Sequence, residues 1–280
     1  MRRLCTVLVA LGAMAAPHAQ TTPTLADLLV KAAAYSRDLQ LQMAKIICDE
    51  DYEQVVTVGR KVVHRRIQAE MLFWWLDDER VWLSIRNVLR VDGLVIADSK
   101  DRLEHALAES VDPPPEGGRV SRSARLRRLQ EESARYDIGT VRRTTSDPAG
   151  ALHYMVEENQ HHFAFTRERE ESVSGTHAWK LAFREVERPT VMRYDQREIP
   201  ASGAVWVRAS DGVIVRTEWR ATLRRGFTAE IAVEFRQDPK LTLWLPERME
   251  EKYGRDLVCR SRYSNYRRFE TSGRIVGLLH

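Results

Sequence analysis

The chain has 280 residues, with 44 lysines and arginines against 40 aspartates and glutamates, a formal net charge of +4, and 43% hydrophobic residues. That length can bury a sizeable core as one domain or two small ones. Acids and bases alternate along the whole chain instead of separating into a basic face, which excludes a nucleic-acid binder.

The first elements are the parts of a secretory leader. Arg2 and Arg3 open the chain, an apolar stretch runs from Leu4 to Ala16, and Ala13, Ala15, Ala16 and Ala19 follow as small residues. Residues 1–19 therefore read as a signal peptide, cleaved after Ala19 or near Ala15, and 20–280 as a single strand-rich domain that is periplasmic or extracellular. Losing Arg2 and Arg3 lowers the net charge to +2. Cys5 stands at the start of the apolar run, where it cannot carry a lipoprotein's lipid. The run is shorter than the roughly 20 residues that span a bilayer, and no later segment reaches that length.

A helix is expected from 24 to about 42, where Leu25, Leu28, Leu29, Ala32 and Ala33 recur at helical spacing behind a Thr24-x-x-Asp27 start. From Lys45 to Leu76 the period is that of strands. The segment 49–56 is polar, as an exposed strand would be, whereas Met71-Leu72-Phe73-Trp74-Trp75-Leu76 is apolar on both faces, as a covered strand would be. Val81 to Val91 continues as strand into an Asp92-Gly93 turn. The middle of the chain is helical at 98–109, breaks at Pro113-Pro114-Pro115 with Gly117 and Gly118, and resumes as a helix at 122–136. A further short helical piece is expected at 148–156.

The last 120 residues alternate apolar and polar. Trp179, Leu181 and Phe183 share a face. Val205 and Val207 lead to a Ser210-Asp211-Gly212 turn, after which Val213, Val215 and Trp219 share a face opposite Arg216, Glu218 and Arg220. Beyond a turn at Arg224-Arg225-Gly226, Phe227, Ala229, Ile231, Val233 and Phe235 line one side. This is an antiparallel meander with one buried face. The fold expected is α+β, mainly antiparallel β: a curved, incomplete barrel cupping a few helices, with an apolar hollow between sheet and helices. Phe73, Trp75, Trp179, Leu181, Phe183, Val215, Trp219, Ile231 and Val233 are the residues expected to line that hollow. A dry core would use the same residues.

No motif assigns catalysis. There is no nucleophile elbow and no glycine-rich phosphate loop, so no catalytic residue and no cofactor is named. His161 and His162 are neighbours and would point to opposite faces of a strand; His64, His153 and His177 have no acidic or cysteine partner at ligand spacing, and no metal site is assigned. Cys48 and Cys259 remain as an even pair once Cys5 is removed, and in an oxidising compartment they are expected to form a disulfide tying the first strand to the last.

The stretch Pro246-Glu247-Arg248-Met249-Glu250-Glu251-Lys252-Tyr253, followed by Tyr263-Ser264-Asn265-Tyr266-Arg267-Arg268-Phe269, resembles a group of uncharacterised secreted bacterial proteins. Glu131-Glu132-Ser133-Ala134-Arg135-Tyr136-Asp137-Ile138-Gly139 and Arg90-Val91-Asp92-Gly93 are similar to the same group. The layout more distantly resembles the periplasmic lipoprotein carriers and outer-membrane lipoprotein-sorting proteins. That resemblance implies an open antiparallel barrel holding helices and binding acyl chains in its hollow. Two functions follow as expectations. One is a domain that binds or carries a lipid, an acyl chain or another apolar ligand in the cell envelope. The alternative is a structural or protein-interaction domain of the envelope, partnered by an envelope protein, with a filled core and no ligand.

Overall fold

The computed structural model describes residues 22–76, 81–97, 99, 122–143, 146–194, 197–222 and 227–268. The leader expected at 1–19, the helix at 98–109, the proline-rich loop after it and the turn at Arg224-Arg225-Gly226 lie outside the described residues, as does the side chain of Trp75.

Helix α1 (Leu25–Met43) starts as its sequence dictates. The Thr24 hydroxyl accepts from the Asp27 amide, and the Asp27 carboxylate accepts from the Thr24 amide at 3.1 Å, a reciprocal cap that satisfies two otherwise orphaned donors. Its buried face is Leu28, Ala32, Ala33, Ser36, Leu39, Gln40 and Met43. Three long strands follow, β1 (Ile46–Val58), β2 (Lys61–Leu76) and β3 (Val81–Val91), then the short β4 (Leu94–Val95). The β3–β4 turn is Asp92-Gly93, both at positive φ, as a tight turn of that sequence requires.

Helix α2 (Arg122–Ser133) lies along the edge of β3. Gln130 Nε2 donates to the Ser84 carbonyl at 2.9 Å, and Leu129 packs on Ile47, Leu72, Trp74, Leu83 and Ile85. An exposed edge would otherwise offer unpaired backbone groups. α2 thus serves the outer face and edge of the sheet, not the cup. Residues 137–143 and 146–149 precede a 3-10 helix at Gly150–Tyr154, where a short helical piece is expected, and the four-residue α3 (Glu157–Gln160) leads into the second half. His161 and His162 sit in the turn ahead of β5, not on a strand.

The second half comprises β5 (Phe163–Val173), β6 (Thr176–Glu185), the small β7 (Arg193–Tyr194) and β8 (Arg197–Glu198) pair, β9 (Ala201–Val207), β10 (Ile214–Thr222), β11 (Thr228–Gln237), β12 (Trp244–Tyr253) and β13 (Leu257–Arg268). Apart from β7 and β8, all strands join one antiparallel sheet of eleven in the order β4-β3-β2-β1-β13-β12-β11-β10-β9-β6-β5. Among the described residues the last strand pairs with the first, while β4 and β5 form the two ends of the sheet. The result is the expected incomplete, curved barrel.

Two positions show how closely the parts meet. A Cβ on Gly203 would lie 1.9 Å from the Glu218 carbonyl oxygen, so only glycine fits that point of the β9–β10 pairing. Gly212, at φ +78 in the β9–β10 turn, abuts the Lys31 backbone of α1, where a Cβ would come within 2.4 Å.

Candidate functional site

The concave face has two parts of different chemistry. Under β5, β6, β9, β10 and β11 it is apolar. Leu181, Phe183, Val205, Val207, Trp219, Val233 and Phe235 are buried in one core with Leu28, Ala32, Leu39 and Met43 of α1. Alternation explains the set: residues two apart on a strand share a face, and the same face of successive strands is the inner one. The aromatic rings cluster, with Tyr154 and Phe163 at 5.0 Å, Phe163 edge-on to Phe183 at 5.7 Å, and Trp219 Nε1 donating to the Tyr154 hydroxyl at 2.9 Å.

Of the residues expected to line a hollow, Phe73, Leu181, Phe183, Trp219 and Val233 are buried in this core, and Trp179 and Ile231 pack on it partly exposed. Val215 is elsewhere. A bulge between Ile214 and Arg216 shifts the β9–β10 register, so Ile214 faces the core with Trp219. Val213 and Val215 turn to the opposite face with Ala178, Ala204 and Trp206. Around α1 the inner face is filled by side chains. A concavity of about 330 Å3 lies on the opposite face, lined by polar groups including Glu171, Arg216, Glu218 and Glu234 beside Trp206.

The other part, under β1, β3, β12 and β13, is polar and buried. Segment 49–56 is not the exposed strand its composition suggests. β1 lies between β2 and β13, and Glu50, Tyr52 and Gln54 point inward. Arg86 on β3 donates to both oxygens of Glu50, the Nη2 bond measuring 3.0 Å, and the Ser261 hydroxyl adds a third bond at 2.7 Å. Glu251 on β12, 0% exposed, accepts from Tyr52 and Tyr253 hydroxyls, each at 2.8 Å, and from Ser146. Arg143 bonds Gln54 at 2.5 Å and Asp137 at 2.8 Å, and the Ile138 amide donates to Gln54 at 2.9 Å. Residues 137–143 are therefore tied to β1, and Ser146 to β12 and, through its carbonyl accepting from the Ser84 hydroxyl at 3.3 Å, to β3. Burying so many polar groups is tolerable because most of them satisfy one another, although Arg143 Nε is buried without a partner.

The electrostatics follow. Burial opposes the charge on Arg86, but the Glu50 carboxylate and its hydrogen bonds outweigh that and hold the guanidinium well above its ordinary value. Burial raises the Asp147 carboxyl to about 6, against one bond from the Ala149 amide. Burial and the nearby Glu251 charge push the Cys259 thiol up to about 12, and burial raises Cys48 as well.

The expected disulfide is absent: Cys48 and Cys259 are both free and buried. Cys259 stands opposite Gln54, six residues along β1 from Cys48. At roughly 3.3 Å per residue that is about 20 Å, against a limit near 7 Å for a disulfide. Among the described residues no three His, Cys, Asp or Glu side chains converge to hold a metal ion, and no helix is long and apolar enough to cross a membrane.

No protein-family model matches the chain, and no curated protein is similar to it. Solved structures are. A domain from Vibrio parahaemolyticus named for outer membrane lipoprotein sorting has a TM-score of 0.38 and 10% identity, over 86% of this chain and 93% of that one. A LolA superfamily protein from Nitrosomonas europaea has a TM-score of 0.37 and 11% identity, over 90% and 96%. A DUF1329 family protein from Desulfovibrio piger has a TM-score of 0.38 and 12% identity, over 86% and 95%.

Proposed function

We propose that the mature chain is a single envelope domain, exported by the leader at 1–19, whose apolar inner face binds a lipid acyl chain or a ligand of similar shape. The observation that carries this reading is the cover over that face. Five apolar strands are closed mainly by α1, which meets them through the small residues Ala32, Ala33 and Ser36 as well as Leu28, Leu39 and Met43. The Ser36 hydroxyl is buried there without a partner. Outside the core, α1 is tied by Lys31 Nζ to the Ala209 carbonyl at 2.6 Å, Arg37 to Glu158 at 2.7 Å, Arg268 to Gln42 at 3.0 Å, Gln160 Nε2 to the Leu29 carbonyl at 3.0 Å and the Tyr35 hydroxyl to the Trp244 carbonyl at 3.3 Å.

A ligand must take the volume α1 holds, and the magnitudes allow the exchange. Exposing the three large side chains of α1 costs roughly 5–9 kcal/mol. A chain of about fourteen methylenes gains roughly 11 kcal/mol on burial, at about 0.8 kcal/mol each. Trp179, Leu181, Phe183, Trp219, Ile231 and Val233 would then line the ligand. The bulge removes Val215 from that set.

The polar half supports the second reading, a filled structural or protein-interaction domain. There residues 137–143 and Ser146 bond Gln54 and Glu251, and those bonds leave nothing for a ligand to displace cheaply. Solvent extraction of protein purified from its native envelope, with mass spectrometry of the extract, separates the two. The binding reading expects a lipid in near-stoichiometric amount; a clean extract, and no uptake after delipidation, favours the filled domain.

A further inference from the structure

At one end of the sheet the β1–β2 hairpin runs past its neighbours. β13 pairs with β1 only as far as Val56, and β3 pairs with β2 only from Ile67 onward, so the residues around Gly59 form a two-stranded finger. Its apolar residues face water: Val58 is 64% exposed, and Val62 and Val63 are also exposed. Leu94, 74% exposed, and Val95 lie near its base, where Asp92 accepts from the Arg66 amide at 2.8 Å.

The charges are sorted along the finger. At its base His64 lies near Glu53, Arg65 pairs with Asp92 at 2.9 Å, and Arg66 pairs with Asp51. At its tip Arg60 and Lys61 are exposed and have no acidic partner among the described residues; nor has Arg255 in the adjoining β12–β13 turn, which is joined to the finger by the Thr57 amide bond to the Asp256 carbonyl. Unpaired cations beside exposed valines suit one surface: apolar side chains enter the boundary between head groups and acyl chains while the cations meet anionic head groups.

We propose that this finger docks the protein on an anionic phospholipid bilayer, with Val58 and Val63, which share one face of the hairpin, against the acyl boundary and Arg60 and Lys61 on the phosphates. The inference does not depend on what the concave face holds.

The test uses the full chain, since each variant then carries the same N-terminus. Binding to phosphatidylglycerol-containing vesicles is measured by flotation, and hydrogen exchange is followed at 57–63. The expected result is protection of the finger by those vesicles and not by pure phosphatidylcholine. Affinity should drop roughly five-fold for each of R60Q and K61Q, and drop also with Val63→Asp and with added salt. All the altered side chains are exposed, so thermal unfolding should be unchanged. The proposal is overturned if R60E/K61E binds as the parent does or if the finger gains no protection. It also fails if the finger is protected at high protein concentration without vesicles, which would mark a second copy of the chain as its partner.

Discussion

Glu50 and Arg86 meet inside the sheet as a two-point ion pair, with 2% and 7% of their surfaces exposed, and the Tyr52 ring lies 4.2 Å from the guanidinium carbon. Removing one partner leaves the other charged and enclosed. Glu50→Gln should therefore destabilise the fold by about 3–5 kcal/mol, a drop of roughly 10 °C or more in Tm for a chain of this size. The paired change Glu50→Leu with Arg86→Met should recover most of that loss. A double mutant no more stable than Glu50→Gln alone would show that the pair does not act as a unit.

Cys48 and Cys259 should behave as two buried, protonated thiols. Their raised pKa values keep thiolate scarce, so a thiol reagent should leave both unreacted in the native protein. Denatured, unreduced protein should show two thiols in addition to Cys5 where that residue is retained. Reductant should leave Tm unchanged. A reductant-dependent Tm would mean a bond these positions cannot form without rebuilding β1.

Asp147 gives a pH dependence with a definite sign. Its carboxyl titrates at about 6 in the folded protein, above its ordinary value of 3.8. Folding therefore favours the protonated form. The contribution is fully present below about pH 4 and is lost as pH rises through 6. Asp147→Asn removes that charge while keeping an acceptor for the Ala149 amide. It should raise stability at pH 7 by about 1–2 kcal/mol and make little difference at pH 4. Equal effects at both values would place the cause outside this titration.

Gly212→Ala sets a Cβ against the Lys31 backbone in a left-handed backbone position. Expected is a loss of about 2–4 kcal/mol, with hydrogen exchange in α1 accelerated more than in β11 or β12. Uniform acceleration would mean that the turn does not anchor the helix.

Much of this architecture is legible in short stretches of sequence. The reciprocal cap at Thr24 and Asp27 marks the start of α1, and Trp179, Leu181 and Phe183 show strand alternation. The bulge at Ile214 leaves no such trace, because Val213, Ile214 and Val215 are all apolar and a one-residue shift changes nothing in their pattern. The buried polar half is hidden for a different reason. Glu50 reads as surface until Arg86 is beside it, and Gln54 until Arg143 is, at separations of 36 and 89 residues. One local sign was present: Cys48, Glu50, Tyr52 and Gln54 share a face, and a cysteine and a tyrosine on it point inward. The disulfide expectation failed on register, which the spacing of two cysteines does not reveal.

The most direct measurement is a titration of delipidated protein with a fluorescent fatty acid while hydrogen exchange is followed along α1. Binding to the apolar inner face predicts saturable uptake at one per chain together with faster exchange at Leu28, Ala32, Ser36 and Leu39 as the helix yields its place. Saturation with α1 exactly as protected as before, or no saturable uptake, would contradict it and leave the domain as a filled scaffold.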